Sequence, residues 1–367
     1  MPMKTDRPGS EDAGLQGRRQ QKERTNRMNV KIFVSHRIDL DAELIDNPIY
    51  VPVRCGAVYD QRKGVTMQGD DTGDSISQKR MSFCEFTVQY WAWKNAQADY
   101  MGLCHYRRYL SFAEHHSSKV NAHNMVEVPM LTERVKRRFG LLDAAHMARE
   151  IAQVDAVVPE PAPVERIPTY TGAQAHTVRQ LWEEHAGIFV DAHCVDTLLK
   201  LIERMKPEYA QSARRYFAGD RHIGYKCYVM KTELFNRLCE FQFPILFELE
   251  RVLPKETLEQ YPRMIGYMGE MLFGVFVYHL REKNYKIGCE RILFIEDAGE
   301  IKGKVDWTKR RIKRLIVHSV HDAALILFPV GTNRRRIVKK QVIKHWKGKK
   351  NKNGNNRFKS IQAGLQK

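Results

Sequence analysis

The chain has 367 residues, 43% of them apolar, and a formal charge of +18. Its length and apolar content suit one large domain or two smaller ones, and without a signal-like N-terminus or a long apolar run neither secretion nor a membrane-spanning helix is expected. Seven scattered cysteines without a Cys-x-x-Cys pair argue against a disulfide framework and a structural zinc site, and predict buried free thiols in a reducing cytosol.

The positive charge is concentrated at one end of the chain. Residues 302–367 hold 20 Lys and Arg against two acidic residues, so they account for the whole excess and the rest is neutral. Such asymmetry indicates an anionic partner or surface. We therefore divide the chain into a polar, disordered N-terminal segment (1–28), a globular domain (29–300) and a basic C-terminal extension (301–367).

The first predicted element is a buried strand at residues 29–35 (NVKIFVS), a β-branched and aromatic run that ends at His36-Arg37. A second extended run follows at residues 50–55 (YVPVRC). Pro52 favours an edge or loop position for this run, because proline cannot donate a hydrogen bond to a neighbouring strand.

A Gly- and Asp-rich loop at residues 69–74 leads into the third predicted element, a helix over residues 75–96 with aromatic side chains at three- and four-residue spacing. We expect Glu85 and Lys94 of this helix to make polar contacts at the edge of a site. An apolar strand follows at residues 100–104, and the sequence HYRRY stands at its end.

Strands and helices continue to alternate through the rest of the domain. After a loop and a basic helix within residues 121–140, we predict helices at 141–153, 175–186, 194–205, 208–217, 231–250 and 264–281, and strands at 155–158, 225–230 and 286–294. This alternation predicts an α/β fold with a mostly parallel sheet flanked by helices.

The HYRRY sequence is the strongest candidate for a binding site. In open α/β sheets ligands bind beyond the carboxyl ends of the strands, and the arginine fork suits phosphate oxygens. Arg107, Arg108 and His105 therefore predict a site for a phosphorylated ligand. The alternative is that the two arginines pair with structural carboxylates beneath a loop.

Seven segments together resemble one bacterial family, catalogued as a domain of unknown function and found in capsular-polysaccharide and O-antigen loci, which looks like nucleotide-sugar glycosyltransferases of the GT-A type. The resemblance covers roughly residues 30–296 and implies a GT-A-like, Rossmann-like fold. The segments are KIFVSHR, VPVRCGA, GDDTGDSIS, FCEFTVQYWAWKN, GLCHYRRYL, FPILFELE and RMIGYMGEMLF.

The resemblance implies a hexosyltransferase that moves a sugar from a nucleotide-sugar donor, with a UDP-sugar expected, to a lipid-linked glycan in capsule, O-antigen or exopolysaccharide synthesis. Such an enzyme must hold a diphosphate whose negative charge grows as the glycosidic bond breaks. The candidate donor-binding and phosphate-binding residues are His105, Arg107, Arg108, Asp70, Asp71, Asp74, Lys79 and Arg54.

The metal requirement stays open at this point. GT-A enzymes commonly carry an Asp-x-Asp metal motif after a mid-sheet strand, and HYRRY stands at that place here. Mn²⁺ or Mg²⁺ could be held by Asp70, Asp74 and His105, or the reaction could be independent of metal. The missing motif also supports an alternative function, a non-catalytic scaffold of a polysaccharide assembly complex.

An inverting glycosyltransferase needs a general base for the acceptor hydroxyl. Glu270 is the first candidate, because its flanks match a characteristic segment of the family. Asp220 and His222 form the second candidate. The alternatives are a glutamate that caps a helix and an ordinary loop pair.

The C-terminal extension alternates basic clusters with apolar stretches that include Trp307 and residues 325–328. This pattern is typical of a helix resting on an anionic membrane surface. We therefore expect a cytoplasmic protein that is peripheral on the inner face of the plasma membrane through residues 302–367. Nucleic-acid binding is not expected, because apolar side chains accompany the charge. Beyond about residue 346 a solvated, disordered tail is the alternative.

Overall fold

A computed structural model of the protein describes residues 28–114, 118–329 and 332–341. Almost all of the predicted disordered N-terminal segment and the last part of the basic extension lie outside the described residues. Within them, the predicted α/β class is confirmed. The strands are β1 Val30–Arg37, β2 Tyr50–Cys55, β3 Gln68–Gly69, β4 Tyr100–His105, β5 Arg108–Leu110, β6 Met125–Val128, β7 Ala156–Pro159, β8 Ala162–Pro163, β9 Arg221–His222, β10 Tyr228–Lys231, β11 Ile287–Glu290 and β12 Ile292–Ile295.

The helices of the structure include counterparts of six predicted helices, those at 141–153, 175–186, 194–205, 208–217, 231–250 and 264–281. The helices are α1 Arg80–Phe83, α2 Phe86–Asn95, α3 Glu133–Arg138, α4 Ala144–Ala152, α5 Val178–Glu183, α6 Cys194–Met205, α7 Ala210–Ala218, α8 Thr232–Val252, α9 Lys255–Gln260, α10 Met264–Glu282 and α11 Lys304–Leu327. A single 3₁₀ turn, Ser77–Lys79, precedes α1.

The main sheet has the order β11-β7-β10-β4-β1-β2-β3. Every neighbouring pair in this order is parallel except those of β10, which is antiparallel to both β4 and β7. Beyond the main path, β12 pairs with β5 and β6, and β5 also pairs antiparallel with β4. The sheet is thus mostly parallel, with one reversed strand at its centre.

The sheet separates two apolar layers, because successive side chains of a strand point to opposite faces. In β1, Phe33 joins the layer formed with α2, α8 and α10, whereas Ile32 and Val34 join the layer formed with β6, β12 and α4. Covering both faces is what buries β1 along most of its length.

Two predictions about local structure were wrong. The single helix predicted over residues 75–96 is broken between α1 and α2, because Cys84 adopts a φ of 53°. The second strand is not at the edge: β2 lies between β1 and β3. Pro52 is tolerated there because the two-residue β3 pairs only with Val53 and Arg54 and leaves the proline nitrogen unopposed.

All seven cysteines are free thiols, and five of them are buried. In the C-terminal extension, α11 exposes apolar side chains at Ile312, Leu315 and Ile316. Among the described helices, none combines the length and the hydropathy that crossing a bilayer requires.

Candidate functional site

The candidate site lies on the side of the sheet where the carboxyl ends of the parallel strands meet. We call this side the edge of the sheet. Because β10 runs in the opposite direction, its first residue lies at this same edge: Tyr228 pairs with Leu103 near the end of β4. The residues that precede β10 therefore come close to His105, whose pKa responds to the charge of Lys226. One antiparallel strand thus brings two distant parts of the chain together.

A buried charged triad occupies this edge. The Lys226 Nζ lies 3.3 Å from Glu85 Oε1 and 3.7 Å from Glu270 Oε1. The three side chains are only 4%, 9% and 12% exposed, respectively. Lys226 also donates a hydrogen bond to the carbonyl of Gly266 at 3.4 Å. We call Glu85, Lys226 and Glu270 the buried triad; burying such charges is costly unless each stays paired.

The backbone is strained beside two members of the triad. Cys84 and Tyr225 have φ values of 53° and 66°, a region that residues other than glycine rarely adopt. Cys84 directly precedes Glu85, and Tyr225 directly precedes Lys226. Strain of this kind costs about 1–3 kcal/mol for each residue and clusters at functional sites. Backbone strain is therefore present at the two positions where the chain brings Glu85 and Lys226 together.

The third member reaches the site through a close helix contact. Gly269 of α10 faces α2, where a Cβ atom would lie 2.3 Å from the ring of Phe86. Glycine removes that clash, so α10 approaches closely and the adjacent Glu270 extends toward Lys226. The Lys226 Nζ also lies 4.2 Å from the centroid of the Phe86 ring, which places it between the two helices.

Arg108 brings a second cation to the site. Its guanidinium stacks on the ring of Tyr225 at 4.9 Å and lies near Phe294 at 5.9 Å. Its Nε is buried and has no hydrogen-bond partner, and among the described residues no carboxylate forms an ion pair with it. A buried donor left without a partner costs about 1–3 kcal/mol. A ligand with acceptor oxygens would satisfy this group.

The pKa values of His105 and Glu85 are both lowered, which leaves the two side chains in different charge states. Burial lowers the pKa of His105 to about 3, although the Glu85 carboxylate opposes that shift, so the imidazole is neutral near pH 7. Burial would raise the pKa of Glu85, but Lys226 and then His105 act against it, so its pKa is lowered and it is ionised. The site therefore pairs charged triad members with a neutral histidine.

Arg107 has a different role from its neighbour. Its Nε donates to the carbonyl of Ile295 at 3.0 Å and its Nη2 to the carbonyl of Glu296 at 3.1 Å, while the guanidinium stacks on Phe294. These contacts hold the end of β12 to the strand connection that follows β4. Because its donors are used in this way, we leave Arg107 out of the proposed phosphate site.

The buried Asp70 carboxylate holds the loop in place through hydrogen bonds. Its Oδ2 accepts from the Gly56 amide and its Oδ1 from the Ala57 amide, both at 2.9 Å. The hydroxyls of Ser77 and Thr87 donate to the same carboxylate at 2.5 Å. Both oxygens are thus satisfied by the protein, and the carboxylate fixes the turn at Gly56, where φ is 70°.

The other residues that were predicted to bind the sugar donor lie around this loop. Arg54 bonds the carbonyl of Met67 and pairs with Asp60 at 2.7 Å. Lys79 pairs with Glu250 at 2.6 Å. Asp71 and Asp74 are exposed, and Asp74 accepts a hydrogen bond from the Tyr90 hydroxyl. Their parts in donor binding remain predictions.

The three candidate metal ligands do not form one group. Within the described parts of the chain, no cluster of three or more His, Cys, Asp or Glu side chains is arranged to hold a metal ion. Asp70 is buried within its hydrogen bonds, Asp74 is exposed, and His105 lies beside the triad. The structure therefore does not bring the predicted ligands together.

Asp220 and His222 are adjacent in sequence but not in environment. The Asp220 side chain is 71% exposed, with Arg221 Nε 3.8 Å away. His222 is buried, its Nδ1 lies 3.5 Å from the Tyr216 hydroxyl, and burial lowers its pKa to about 3. The two side chains therefore do not form an acid–base pair.

Two residues at this side of the sheet were not among the predicted site residues. Lys226 stands inside the apolar run YKCYVM, and a lone lysine in such a run was the available signal. His36, at the end of β1, is 2% exposed, its Nδ1 has no partner, and burial lowers its pKa to about 4. Its position after a predicted buried strand was the signal for that residue.

Comparison with known proteins agrees with this architecture. A family model described as a domain of unknown function (DUF4422) matches residues 31–283. No curated protein matches the chain. Among solved structures, it is similar to the one described as "WbbM bifunctional glycosytransferase apo structure", with a TM-score of 0.65 and 26% identity. The match covers 75% of this chain and 47% of that one, so this chain spans about half the length of that protein.

Proposed function

The chain belongs to the DUF4422 family, as its sequence motifs predicted, and we propose that it is a glycosyltransferase that moves a hexose from a nucleotide sugar, with a UDP-sugar expected, to a glycan acceptor. Its likeness to a solved glycosyltransferase supports this class of reaction. The observation that carries the proposal is the unpartnered, buried Arg108 beside the buried triad, at the strand ends where α/β folds bind ligands.

In this proposal Arg108 and His105 bind the donor diphosphate. The Arg108 guanidinium offers unused donors to phosphate oxygens. His105 is neutral, and its Nδ1 accepts a hydrogen bond from the Arg107 amide at 3.4 Å. The ring proton is therefore on Nε2, which can donate to a ligand. Arg108 and Lys226 together offset the negative charge that grows on the leaving diphosphate.

Glu270 is the proposed general base. In this scheme, it takes the proton of the acceptor hydroxyl as that oxygen bonds to the anomeric carbon of the donor. The bond from this carbon to the diphosphate breaks, and the nucleoside diphosphate leaves with the electron pair. Lys226 holds Glu270 and Glu85 in place from between them. Asp220 and His222 are not assigned a step.

Calorimetry with UDP tests the donor site through two adjacent arginines. Arg108→Ala is expected to weaken UDP binding about 10- to 100-fold, because one charge-assisted contact contributes about 1.5–3 kcal/mol. Arg107→Ala is the matched control. It is expected to lower stability, because the hydrogen bonds to Ile295 and Glu296 are lost, but to leave UDP affinity unchanged. Equal UDP affinity in wild type and Arg108→Ala would contradict the assignment.

The same titration separates the enzyme from the non-catalytic scaffold. A scaffold needs no donor site, so it predicts no heat of UDP binding in wild type, with or without Mn²⁺. An enzyme predicts saturable binding and slow release of UDP from a UDP-hexose in water. The comparison with and without Mn²⁺ also determines whether binding depends on a metal.

The finer proposal for the acceptor is a lipid-linked glycan at an anionic membrane surface. In α11, the exposed side chains Ile312, Leu315 and Ile316 share one helix face by their spacing, and Lys309 and Arg311 beside them are exposed. A helix with exposed apolar and basic groups binds the interface of anionic bilayers. Such binding would place the enzyme on the cytoplasmic face of the membrane, next to its acceptor.

Vesicle flotation tests this surface. The full chain is expected to float with phosphatidylglycerol vesicles and less at high salt, since each basic residue near the surface contributes about 1 kcal/mol. The triple variant Ile312→Ser, Leu315→Ser and Ile316→Ser is expected to lose most of this binding. The control replaces Leu44, Met81 and Val252, which are exposed apolar residues of the globular domain. Equal flotation of the two triple variants would contradict the proposal.

A further inference from the structure

A continuous row of rings leads away from the charged site. It begins at Tyr225, on which Arg108 stacks, and neighbouring ring centroids lie 5.2–6.2 Å apart. Four of the six rings are partly exposed, whereas His222 and Trp182 are buried. We call this the ring row; in order its members are Tyr225, His222, Trp182, Tyr267, Phe189 and Tyr170.

Two further histidines flank the ring row. His123 Nδ1 lies 2.6 Å from the Tyr225 hydroxyl, and the His185 ring lies 5.6 Å from that of Phe189. Burial lowers the pKa of both histidines to about 4, so they are neutral near pH 7. A neutral imidazole offers one donor and one acceptor. A sugar hydroxyl also donates and accepts, so the two groups are complementary.

Polar atoms of the ring row region lack partners. The Nε1 of Trp182 and the Nδ1 of His185 are buried without a hydrogen bond. A buried polar atom without a partner costs about 1–3 kcal/mol, and a ligand with hydroxyl groups could supply the missing partners. At the Tyr225 end, a small cavity is lined by His123, His222 and Gly224. The region therefore combines apolar ring faces with unused polar groups.

The ring row passes close to the proposed general base. Tyr267 and Glu270 are three residues apart on α10, so their side chains leave the same face of the helix. The Glu270 Oε1 also lies 3.7 Å from the Nζ of Lys226, the residue that follows Tyr225. A sugar held over Tyr267 would have its hydroxyls near the carboxylate.

The Tyr170 end of the ring row meets the C-terminal extension. In the helical segment 333–341, the Lys339 Nζ lies 5.5 Å from the centroid of the Tyr170 ring. Arg335, 9% exposed, packs against Gly172, where a Cβ would lie 3.2 Å from its Cγ. Neither cation pairs with a carboxylate among the described residues. Positive charge is therefore available at this end.

We propose that the ring row is the acceptor subsite, with hexoses of the glycan stacked on its exposed rings and the reactive hydroxyl of the hexose nearest Tyr267 directed toward Glu270. This inference rests on the proposed function. Aromatic faces pack against the apolar faces of pyranose rings, while the unpartnered nitrogens bond the hydroxyls. Lys339 and Arg335 suit an acceptor that carries phosphate at its far end, as a lipid-linked glycan does.

The test measures sugar and nucleotide binding on the same samples. Binding of methyl α- and β-hexopyranosides (gluco, galacto and manno) is followed by NMR in the presence of UDP, and UDP binding by calorimetry. Methyl glycosides are used because an aryl group could itself stack on the rings. The wild type is expected to bind at least one of them, and Phe189→Ala and Tyr170→Ala to weaken that binding about tenfold with UDP affinity unchanged.

Tyr285→Ala is the matched control. Tyr285 is also partly buried, but it precedes β11 at the opposite edge of the sheet, where it accepts a hydrogen bond from Arg237. The Tyr285→Ala variant is expected to bind the glycosides as the wild type does. Thermal melting is used to confirm that all variants fold.

The outcomes separate the two proposals. UDP binding without glycoside binding, or glycoside affinities that Phe189→Ala and Tyr170→Ala leave unchanged, would overturn the acceptor subsite and leave the donor site standing. An equal loss in Tyr285→Ala would also overturn it, because the effect would then be general. Glycoside binding that depends on Phe189 and Tyr170 in a protein that does not bind UDP would overturn the nucleotide-sugar function and retain the ring row as a sugar site.

Discussion

Lys226→Met is expected to lower the free energy of unfolding by about 3–5 kcal/mol and to abolish sugar transfer. The substitution removes the ammonium from between Glu85 and Glu270, whose side chains are 9% and 12% exposed. Two carboxylates would then be left close together with little solvent and without their shared cation. Urea denaturation of the purified chain at neutral pH measures the effect.

Lys231→Met is the matched control. Lys231 ends the strand that follows Lys226, and its Nζ lies 2.7 Å from Asp155, but its side chain is 42% exposed. An exposed ion pair contributes at most about 1 kcal/mol. If the free energy of unfolding fell by similar amounts in the two variants, burial would not be what makes the triad important for stability. Adding Glu85→Gln to Lys226→Met is expected to restore part of the stability, because one unpaired charge is removed.

Glu270→Gln is expected to slow sugar transfer about 10²- to 10⁴-fold, the usual contribution of a general base. The amide keeps the shape of the side chain but cannot take a proton. UDP affinity should stay close to that of the wild type, because Arg108 and His105 are unchanged. Stability should fall less than in Lys226→Met, since Lys226 stays paired with Glu85 at 3.3 Å.

Glu282→Gln controls for the loss of a glutamate from the same helix. Glu282 is at the end of α10, where it pairs with Arg215 at 2.6 Å and is 25% exposed. It is expected to transfer sugar at the wild-type rate. If Glu270→Gln transfers as fast as this control, the general base is another group. If it loses UDP binding instead, Glu270 belongs to the donor site.

The helices of the domain could be predicted because their signal is local. The predicted helix at residues 264–281 corresponds to α10, Met264–Glu282, and that at 194–205 to α6, Cys194–Met205. Apolar residues at three- and four-residue spacing indicate such helices without reference to the rest of the chain. The strands β3, β5, β8 and β9 were not predicted, because two or three residues carry too little pattern, and β6 fell in a segment that was predicted to be a loop.

The break between α1 and α2 could not be predicted from the same signal. The aromatic spacing continues across residues 83–90, and Cys84 is not a residue that ordinarily interrupts a helix. In the fold its φ is positive, and its Sγ accepts a hydrogen bond from Arg263, a residue distant in the chain, at 3.3 Å. The break comes immediately before Glu85, which lies 3.3 Å from Lys226 at the candidate site.

The difference between Arg107 and Arg108 also depends on tertiary structure. In sequence they are equivalent members of HYRRY. In the fold, Arg107 meets the backbone at the end of β12, whereas Arg108 begins β5 and faces Tyr225. Arg107 lies in the turn between β4 and β5, and Arg108 lies in the strand itself. The fold therefore makes one of the two arginines structural and leaves the other as a candidate binding residue.

Local pattern and composition were enough to predict the family, the α/β class, the positions of most helices of the globular domain and the separation of a neutral domain from a basic extension. The tertiary structure decided the candidate site. Lys226 and Glu85 are distant in the chain and meet only because β10 runs antiparallel beside β4. The direction of a strand depends on how the whole chain packs, and the local pattern of YKCYVM does not predict it.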